Sequence, residues 1–157
     1  MMNNFVWEKR GKIFSPDISK YDLVKSHSQI PTILVLDKKL RVFFSTRPEL
    51  GKSLTTFVDL DIEDPSKILY EHSSPILELG LPGEFDEHGI MPQCVFKKGN
   101  IVYLYYLGWS KRTNIRYSNW TGLAKSFDDG KTFEKHANVP VMDRCVGNAF
   151  SITGLFT

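Results

Sequence analysis

The 157-residue chain has little of what marks several common protein classes. It has only two cysteines, Cys94 and Cys145, which form neither a metal-binding spacing nor a disulfide framework. Cys94 stands in an apolar run and is expected to be a small core residue. No run of about 18 apolar residues predicts a transmembrane helix, and the N-terminal segment lacks the apolar stretch of a secretory signal. We therefore expect a reducing, cytoplasmic location.

A large excess of one sign of charge is also lacking, since the chain has 20 Lys and Arg residues and 18 Asp and Glu residues, for a net charge of +2. The basic doublets are isolated and predict a solvated surface rather than a nucleic-acid-binding arm. The sequence contains no metal-ligand triad, no glycine-rich phosphate loop and no recognisable Ser-His-Asp arrangement. We therefore expect no cofactor, no metal, and no nucleic-acid or membrane partner.

Helical periodicity is scarce as well, whereas short runs of β-branched and aromatic residues are frequent. Turn residues bound most of these runs, which predicts an all-β fold. Asp37–Lys39 and Lys97–Asn100 are expected to form tight hairpin turns, the second with glycine at a position of positive φ. The predicted strands are Thr32–Leu36, Leu40–Phe44, Thr55–Val58, Gln93–Phe96 and Ile101–Tyr106.

Two parts of the chain resemble each other. The segment "PTILVLDKKLRVFFSTR" from Pro31 matches "PQCVFKKGNIVYLYYLGW" from Pro92, and a later alignment brings Pro75 onto Pro140. Such a repeat indicates one supersecondary unit used twice, and a four-stranded antiparallel unit of roughly 40 to 60 residues is typical of a propeller blade. The blade-like repeats are about 27–80 and 88–143, with 145–157 as an atypical tail. The alternative is two unrelated hairpin pairs in a β-sandwich.

A turn motif supports the repeat. Residues 126–133, "SFDDGKTF", have the form S-x-D-x-G-x-T-F and match the Asp box of sialidases and related propellers. A carboxylate can accept the N–H groups of the turn, glycine permits a positive φ, and the final aromatic ring, Phe133, can fill the blade core. The motif predicts a structural rather than a catalytic role.

From Trp7 to Arg144 the chain resembles the five-bladed propeller glycosidases, the group that contains invertases, levansucrases and arabinanases. The resemblance is carried by "SHSQIPTILVLDKKLRVFFSTR", "DPSKILYEHSSPILELG", "GEFDEHGIMPQCVFKKGNIVYLYYLGW", "GLAKSFDDGKTF" and "VPVMDR". It implies a single partial propeller domain over 1–157, with about two four-stranded blades and the start of a third. It also implies a carbohydrate or glycoside ligand.

In that family the residues just before the innermost strand of each blade point at the sugar. The resemblance makes Asp86 the first choice for a catalytic base or transition-state modulator and Glu87 the second; two solvated loop carboxylates are the alternative. Trp109 could stack on a sugar ring or belong to the core, and Arg47 could hold an anionic group or form a salt bridge. The implied substrate-binding residues are His27, Gln29, Arg47, His88, Trp109, Asp143 and Arg144.

The chain departs from the family at two points. Active members usually carry an aspartate beside the first blade's proline, where this chain has Gln29-Ile30-Pro31. The chain also has room for only about two blades, which suggests a truncated reading frame. Such a chain is expected to self-associate as a homo-oligomer through an exposed aromatic face. We expect that face to be formed by Phe43, Phe44, Tyr103, Tyr105 and Phe133.

Three functions remain open at this stage. The first is a glycosidase-like propeller that is not fully catalytic alone, and an alternative within it is a hydrolase or sugar-transferring enzyme acting as an oligomer. The second is a non-catalytic carbohydrate-binding module. The third is a fragment without a present function. Hydrolysis usually needs two carboxyl groups facing each other across the sugar, and neighbouring residues such as Asp86 and Glu87 cannot form that pair by themselves.

Overall fold

The structure is a computed structural model that describes residues 6–20, 22–48 and 51–142. Within these ranges it contains eight β-strands and no helix, so no helix there could cross a membrane. The predicted all-β fold is confirmed. The strands are β1 (Ser26–Leu36), β2 (Lys39–Arg47), β3 (Leu54–Asp61), β4 (Ile68–Glu71), β5 (Gly89–Lys98), β6 (Ile101–Lys111), β7 (Tyr117–Ser126) and β8 (Glu134–Lys135).

The strands form two four-stranded antiparallel sheets, each with its strands in sequence order. The first sheet is β1-β2-β3-β4 and the second is β5-β6-β7-β8, consistent with two propeller blades. Both predicted hairpins are present, with the two-residue turns 37–38 and 99–100. Gly99 has a φ of 60°, which a residue without a Cβ adopts at little cost.

Both inner strands contain a bulge at the repeated proline. Register shifts occur between Gln29 and Thr32 in β1 and between Pro92 and Cys94 in β5. Proline lacks an N–H for the ladder and is therefore tolerated where the pairing is interrupted. The Thr32 hydroxyl donates a hydrogen bond to the Gln93 carbonyl at 3.2 Å, so the two bulges meet across the sheet interface.

The main hydrophobic core lies between the two sheets. Phe43 and Phe57 contribute from the first sheet, and Leu104 and Tyr106 contribute from the second. The buried Cys94 confirms the expectation that this residue is a core side chain. A smaller cluster lies on the outer face of the first sheet and consists of Phe44, Val58 and Leu60 with Phe14, Leu40 and Val42 packed against it.

The expectation of an exposed aromatic face was wrong for three of its five members. Phe43 is fully buried, and Phe44 and Phe133 are 4% and 7% exposed, because the opposite sheet, the N-terminal segment and the final turn cover them. Tyr103 and Tyr105 do remain partly exposed on the outer face of the second sheet. The prediction of an exposed aromatic surface therefore holds only for the outer face of the second sheet.

The turn between β7 and β8 is held by its own side chains. Asp128 Oδ1 accepts hydrogen bonds from the N–H groups of Lys131 and Thr132 at 2.9 and 3.0 Å, and Oδ2 accepts from the Thr132 hydroxyl at 2.8 Å. The Ser126 hydroxyl accepts from the Gly130 N–H at 2.8 Å, and Gly130 has a φ of 82°. These are the local interactions that the motif predicted; its relation to the Asp box of sialidases stays a prediction.

Phe133 links this turn to the first sheet. Its ring packs edge-to-face against Phe43 with a centroid distance of 5.8 Å, and its N–H donates to the Ile76 carbonyl at 2.8 Å. The last residue of the turn motif therefore fills the core between the sheets rather than the interior of its own sheet alone.

Replacing this ring should destabilise the fold. We expect Phe133→Ala to lower the free energy of unfolding by about 3 kcal/mol or more, because it leaves a cavity in the core between the sheets. Urea denaturation measures the change. Phe127→Ala is the matched control, since the same turn leaves Phe127 66% exposed. A Phe133→Ala change within about 0.5 kcal/mol of the control would contradict the burial of this ring.

The Asp128 carboxyl predicts a pH dependence. Its partial burial raises its pKa, but the hydrogen bonds donated within the turn outweigh burial and lower the pKa to about 2 from the usual 3.8. The folded state therefore favours the carboxylate, which stabilises the fold above about pH 4 and loses that effect as the pH falls towards 2.

Comparison of the wild type with Asp128→Asn isolates this contribution from the other acidic groups. We expect the difference in unfolding free energy to be largest at neutral pH and to shrink as the pH falls from about 4 to about 2. Urea denaturation at a series of pH values measures it. A difference that stays constant over this window would show that the carboxylate charge does not stabilise the turn.

Candidate functional site

The two sheets are joined by hydrogen bonds at the end where β3 and β5 begin. The Ser53 N–H donates to the His88 carbonyl at 3.0 Å, and the Ile90 N–H donates to the Ser53 carbonyl at 2.9 Å. The Thr55 hydroxyl donates to the Ile90 carbonyl at 2.9 Å. These bonds bring the start of β1, the end of β2, the start of β5, the end of β6 and the start of β7 to one region.

A cavity of about 560 Å³ lies in this region. Both sheets contribute to it, and its lining combines aromatic, amide and cationic side chains. A concave site with an apolar surface and a few convergent polar groups is the usual form of a small-molecule site. The lining residues are Gln29, Arg47, Gly51, Met91, Leu107, Trp109, Lys111, Arg116, Tyr117 and Asn119.

Two of the predicted substrate-binding residues line the cavity from the first sheet. Gln29 Oε1 and Arg47 Nε are buried atoms without a hydrogen-bond partner among the described residues. Gln29 lies between His27 and Ile30, whose φ angles of 67° and 53° are unusual for residues other than glycine. The bulged start of β1 is thus strained where it contributes to the cavity, as backbone at functional sites often is.

Trp109 lines the cavity from the second sheet and is otherwise well packed. It is 9% exposed, stacks against His88 at a centroid distance of 5.8 Å and meets Tyr117 edge-on at 6.4 Å. A Cβ at Gly89 would collide with the Trp109 indole, so glycine is required there if the ring keeps its position. The ring is therefore largely buried and also forms part of the cavity wall, and its stacking on a sugar stays a prediction.

Asp86 points into the protein and does not line the cavity. Its side chain is fully buried, with Oδ2 accepting hydrogen bonds from the Tyr106 hydroxyl at 3.0 Å and pairing with Lys135 Nζ at 2.8 Å. Burial, together with the charge of Asp86, raises the pKa of Tyr106 well above its usual range. Oδ1 is buried without a hydrogen-bond partner among the described residues, and a catalytic role for Asp86 stays a prediction.

Glu87 and His88 also lie outside the cavity lining. Glu87 Oε2 accepts a hydrogen bond from the Gly83 N–H at 2.7 Å, and Oε1 lies 3.2 Å from His88 Nδ1. His88 stacks on Trp109 but does not itself line the cavity. The role of Glu87 as the second catalytic carboxylate stays a prediction.

The remaining predicted site residues lie apart from the cavity or outside the described residues. His27 is exposed, with Nδ1 2.7 Å from the Ser26 hydroxyl, and it does not line the cavity. Asp143 and Arg144 fall outside the described part of the chain. The structure therefore brings together Gln29, Arg47 and Trp109 and leaves the two proposed catalytic carboxylates elsewhere.

Sequence reasoning missed seven of the lining residues, and four of these have polar side chains in one part of the second sheet. Lys111, Arg116, Tyr117 and Asn119 lie at the end of β6, in the following loop and at the start of β7. The repeat contained the signal, because this loop corresponds to the one that follows Arg47 in the first sheet. Extending the comparison of the repeats past Trp109 would have identified the region.

Several solved structures have a fold similar to that of this chain. Solved structures similar to the chain include Zg3597, a family 117 glycoside hydrolase produced by the marine bacterium Zobellia galactanivorans, with a TM-score of 0.58 and 23% identity over 77% of this chain and 34% of that chain. A Bacteroides ovatus protein assigned provisionally to the glycoside hydrolases gives a TM-score of 0.68 with 16% identity over 96% and 46% of the two chains.

A third solved structure is sucrose-6-phosphate hydrolase from Lactobacillus gasseri, with a TM-score of 0.54 and 17% identity over 74% of this chain and 22% of that chain. At these identities the similarities show the fold alone. The chain therefore has a glycosidase-like all-β fold, as the sequence resemblance implied.

The sequence relatives are the Mycobacterium tuberculosis proteins "Uncharacterized protein MT1551", from strain CDC 1551 / Oshkosh, and "Uncharacterized protein Rv1502", from strain H37Rv. Each is 30% identical over 148 residues, which cover 94% of this chain and 49% of the relative. The chain thus spans about half the length of the curated relatives that it matches. No protein-family model matches the chain.

The buried pair formed by Lys135 and Asp86 gives a test of the structural role of Asp86. We expect Lys135→Met to destabilise the fold by about 3 to 5 kcal/mol, because it leaves a buried carboxylate without its counter-charge. The double variant Asp86→Asn/Lys135→Met should regain part of this loss, since a neutral amide can remain buried at lower cost.

Lys131→Met is the matched control for that measurement. Lys131 lies in the turn before β8 and is exposed, so its replacement should change the unfolding free energy by less than about 0.5 kcal/mol. Urea denaturation of the four proteins decides the point. Equal effects of Lys131→Met and Lys135→Met would show that the ion pair contributes nothing to the fold.

Proposed function

We propose that the chain is a carbohydrate-binding part of a glycosidase-like propeller and that it does not hydrolyse glycosides by itself. The carrying observation is the cavity at the shared end of the two sheets, with Trp109 and Tyr117 beside Gln29, Arg47 and Asn119. Its volume of about 560 Å³ is suited to a small ligand. The glycosidase-like fold supports a sugar as that ligand.

The chemistry of the lining suits a sugar. Aromatic rings offer apolar faces to the C–H groups of a pyranose, whereas amide and guanidinium groups bond its hydroxyls. The unpartnered Gln29 Oε1 can accept a hydrogen bond, and the unpartnered Arg47 Nε can donate one. Gln29 and Arg47 both line the cavity, so their amide and guanidinium groups can bond the hydroxyls of a ligand.

The same lining supports binding without hydrolysis. Hydrolysis requires two carboxyl groups about 5 to 10 Å apart on either side of the scissile bond. No Asp or Glu is among the described residues that line the cavity. Asp86 is paired with Lys135 in the interior, and Glu87 is engaged by the Gly83 N–H.

Self-association is the second part of the proposal. Phe96 stacks on Tyr103 and Tyr105 on the outer face of the second sheet, and all three rings remain partly exposed. Exposed aromatic faces of this kind usually mark an interface. A second copy is the proposed occupant, and an assembly that supplied the missing carboxylates would support the alternative function, an oligomeric hydrolase.

Calorimetric titration with neutral mono- and disaccharides tests the binding. We expect saturable binding that Trp109→Ala weakens at least about threefold, since the ring forms part of the cavity wall. Trp7→Ala is the matched control, because Trp7 is 93% exposed. Absence of binding by any sugar, neutral or charged, would overturn the carbohydrate assignment.

Sedimentation velocity and an activity screen on aryl-glycosides test the rest of the proposal. We expect an oligomer that Tyr105→Lys dissociates, since a charge would be buried at the aromatic face, and we expect no turnover. A monomeric wild type that hydrolyses a glycoside, and loses this activity in a folded Asp86→Asn variant, would contradict both expectations.

A further inference from the structure

The charged side chains among the described residues that line the cavity are all positive. Three of its lining residues are cationic: Arg47 at the end of β2, Lys111 at the end of β6 and Arg116 in the loop before β7. The described residues that line it include no acidic side chain. The chain as a whole carries only +2, so this concentration of positive charge belongs to the cavity rather than to a generally basic protein.

Some cations of the protein have carboxylate partners among the described residues, whereas these three do not. Arg41 and Lys39 pair with Asp59, Lys97 pairs with Asp129, and other lysines have carboxylate partners too. No ion pair is formed by Arg47, Lys111 or Arg116 with any described residue. Within the described part of the chain, no carboxylate pairs with the cations that line the cavity.

Of the three cations, Arg47 is the one that is partly buried. Its Nε is inaccessible to solvent and has no hydrogen-bond partner among the described residues. A buried N–H without an acceptor is unfavourable. The Arg47 side chain also lines the cavity, and an anionic ligand would gain most from its guanidinium because hydrogen bonds between ionised groups are the stronger ones.

We propose that the cavity takes a carbohydrate that carries an anionic substituent, a carboxylate, sulfate or phosphate, which is held by Arg47, Lys111 and Arg116. This inference rests on the proposed carbohydrate binding and names the class of sugar. Trp109 and Tyr117 contact the ring of the sugar, and Gln29 Oε1 accepts from one of its hydroxyls. The planar guanidinium groups suit any of the three anionic groups, since each presents paired oxygens.

Calorimetric titration with a matched set of ligands tests the proposal. The probes are glucose, glucuronate, glucose 6-phosphate, glucose 6-sulfate and inorganic phosphate. We expect at least one anionic sugar to bind at least about tenfold more tightly than glucose and than inorganic phosphate, because charge and ring contribute together. The ranking of the three anionic sugars identifies the substituent.

Variants locate the effect in the cavity. Arg47→Gln and Arg116→Gln should each lower the preference for the anionic sugar over glucose at least about tenfold, because each removes a charge that holds the anionic group. Arg116 is exposed, so its replacement provides a test even if Arg47→Gln destabilises the protein. Lys38→Gln, which removes one charge from the exposed turn between β1 and β2, is the matched control and should have no effect.

The outcomes separate this proposal from the one on which it rests. Neutral sugars that bind as tightly as the anionic ones, or anionic binding that survives both arginine replacements, would overturn the anionic preference and leave carbohydrate binding standing. Inorganic phosphate binding as tightly as glucose 6-phosphate would reduce the cavity to a simple anion site. No binding of any sugar would overturn both proposals.

Discussion

The joining of the two sheets depends on the buried guanidinium of Arg41. Its Nε and one terminal nitrogen donate to the two carboxylate oxygens of Asp59 at 2.8 Å, and the other terminal nitrogen donates to the Asp129 carbonyl at 2.9 Å. The guanidinium also lies 3.9 Å from the centre of the Phe57 ring. A guanidinium that is 1% exposed must have its N–H groups satisfied, and here the acceptors come from both sheets. The pair with Asp59 alone would leave the second terminal nitrogen without an acceptor.

The cavity lies at the end of the sheet interface opposite to Arg41. Its geometry therefore depends on how firmly the two sheets are held together. Arg41 and Phe133 hold the turn of the second sheet against the first, and the Ser53 hydrogen bonds hold the far end. An interface fixed at both ends and packed between them cannot slide. Arg47 and Lys111, which belong to different sheets, therefore keep a fixed separation across the cavity, as a binding site built on rigid elements requires.

How much the sequence predicted varies with the range of the interaction. The hairpins and the turn that ends in Phe133 could be predicted, because each depends on neighbouring residues. The direction of Asp86 could not, since Lys135 on β8 and Tyr106 on β6 settle it from distant parts of the chain. Burial of Phe43 was missed for the same reason, as the sheet that covers it comes later in the sequence.

A propeller fold positions a site but does not decide its chemistry. At the bulge before Pro31 this chain presents Gln29, whereas the glycosidases that it resembles usually present an aspartate there. An amide keeps the capacity to bond a hydroxyl but cannot act as a nucleophile or base at neutral pH. A carboxylate at position 29 would also compensate part of the charge of Arg47, leaving less for a ligand. Glutamine supplies no carboxylate at this position and adds no negative charge to the cavity, as the proposed binding of a charged sugar without hydrolysis requires.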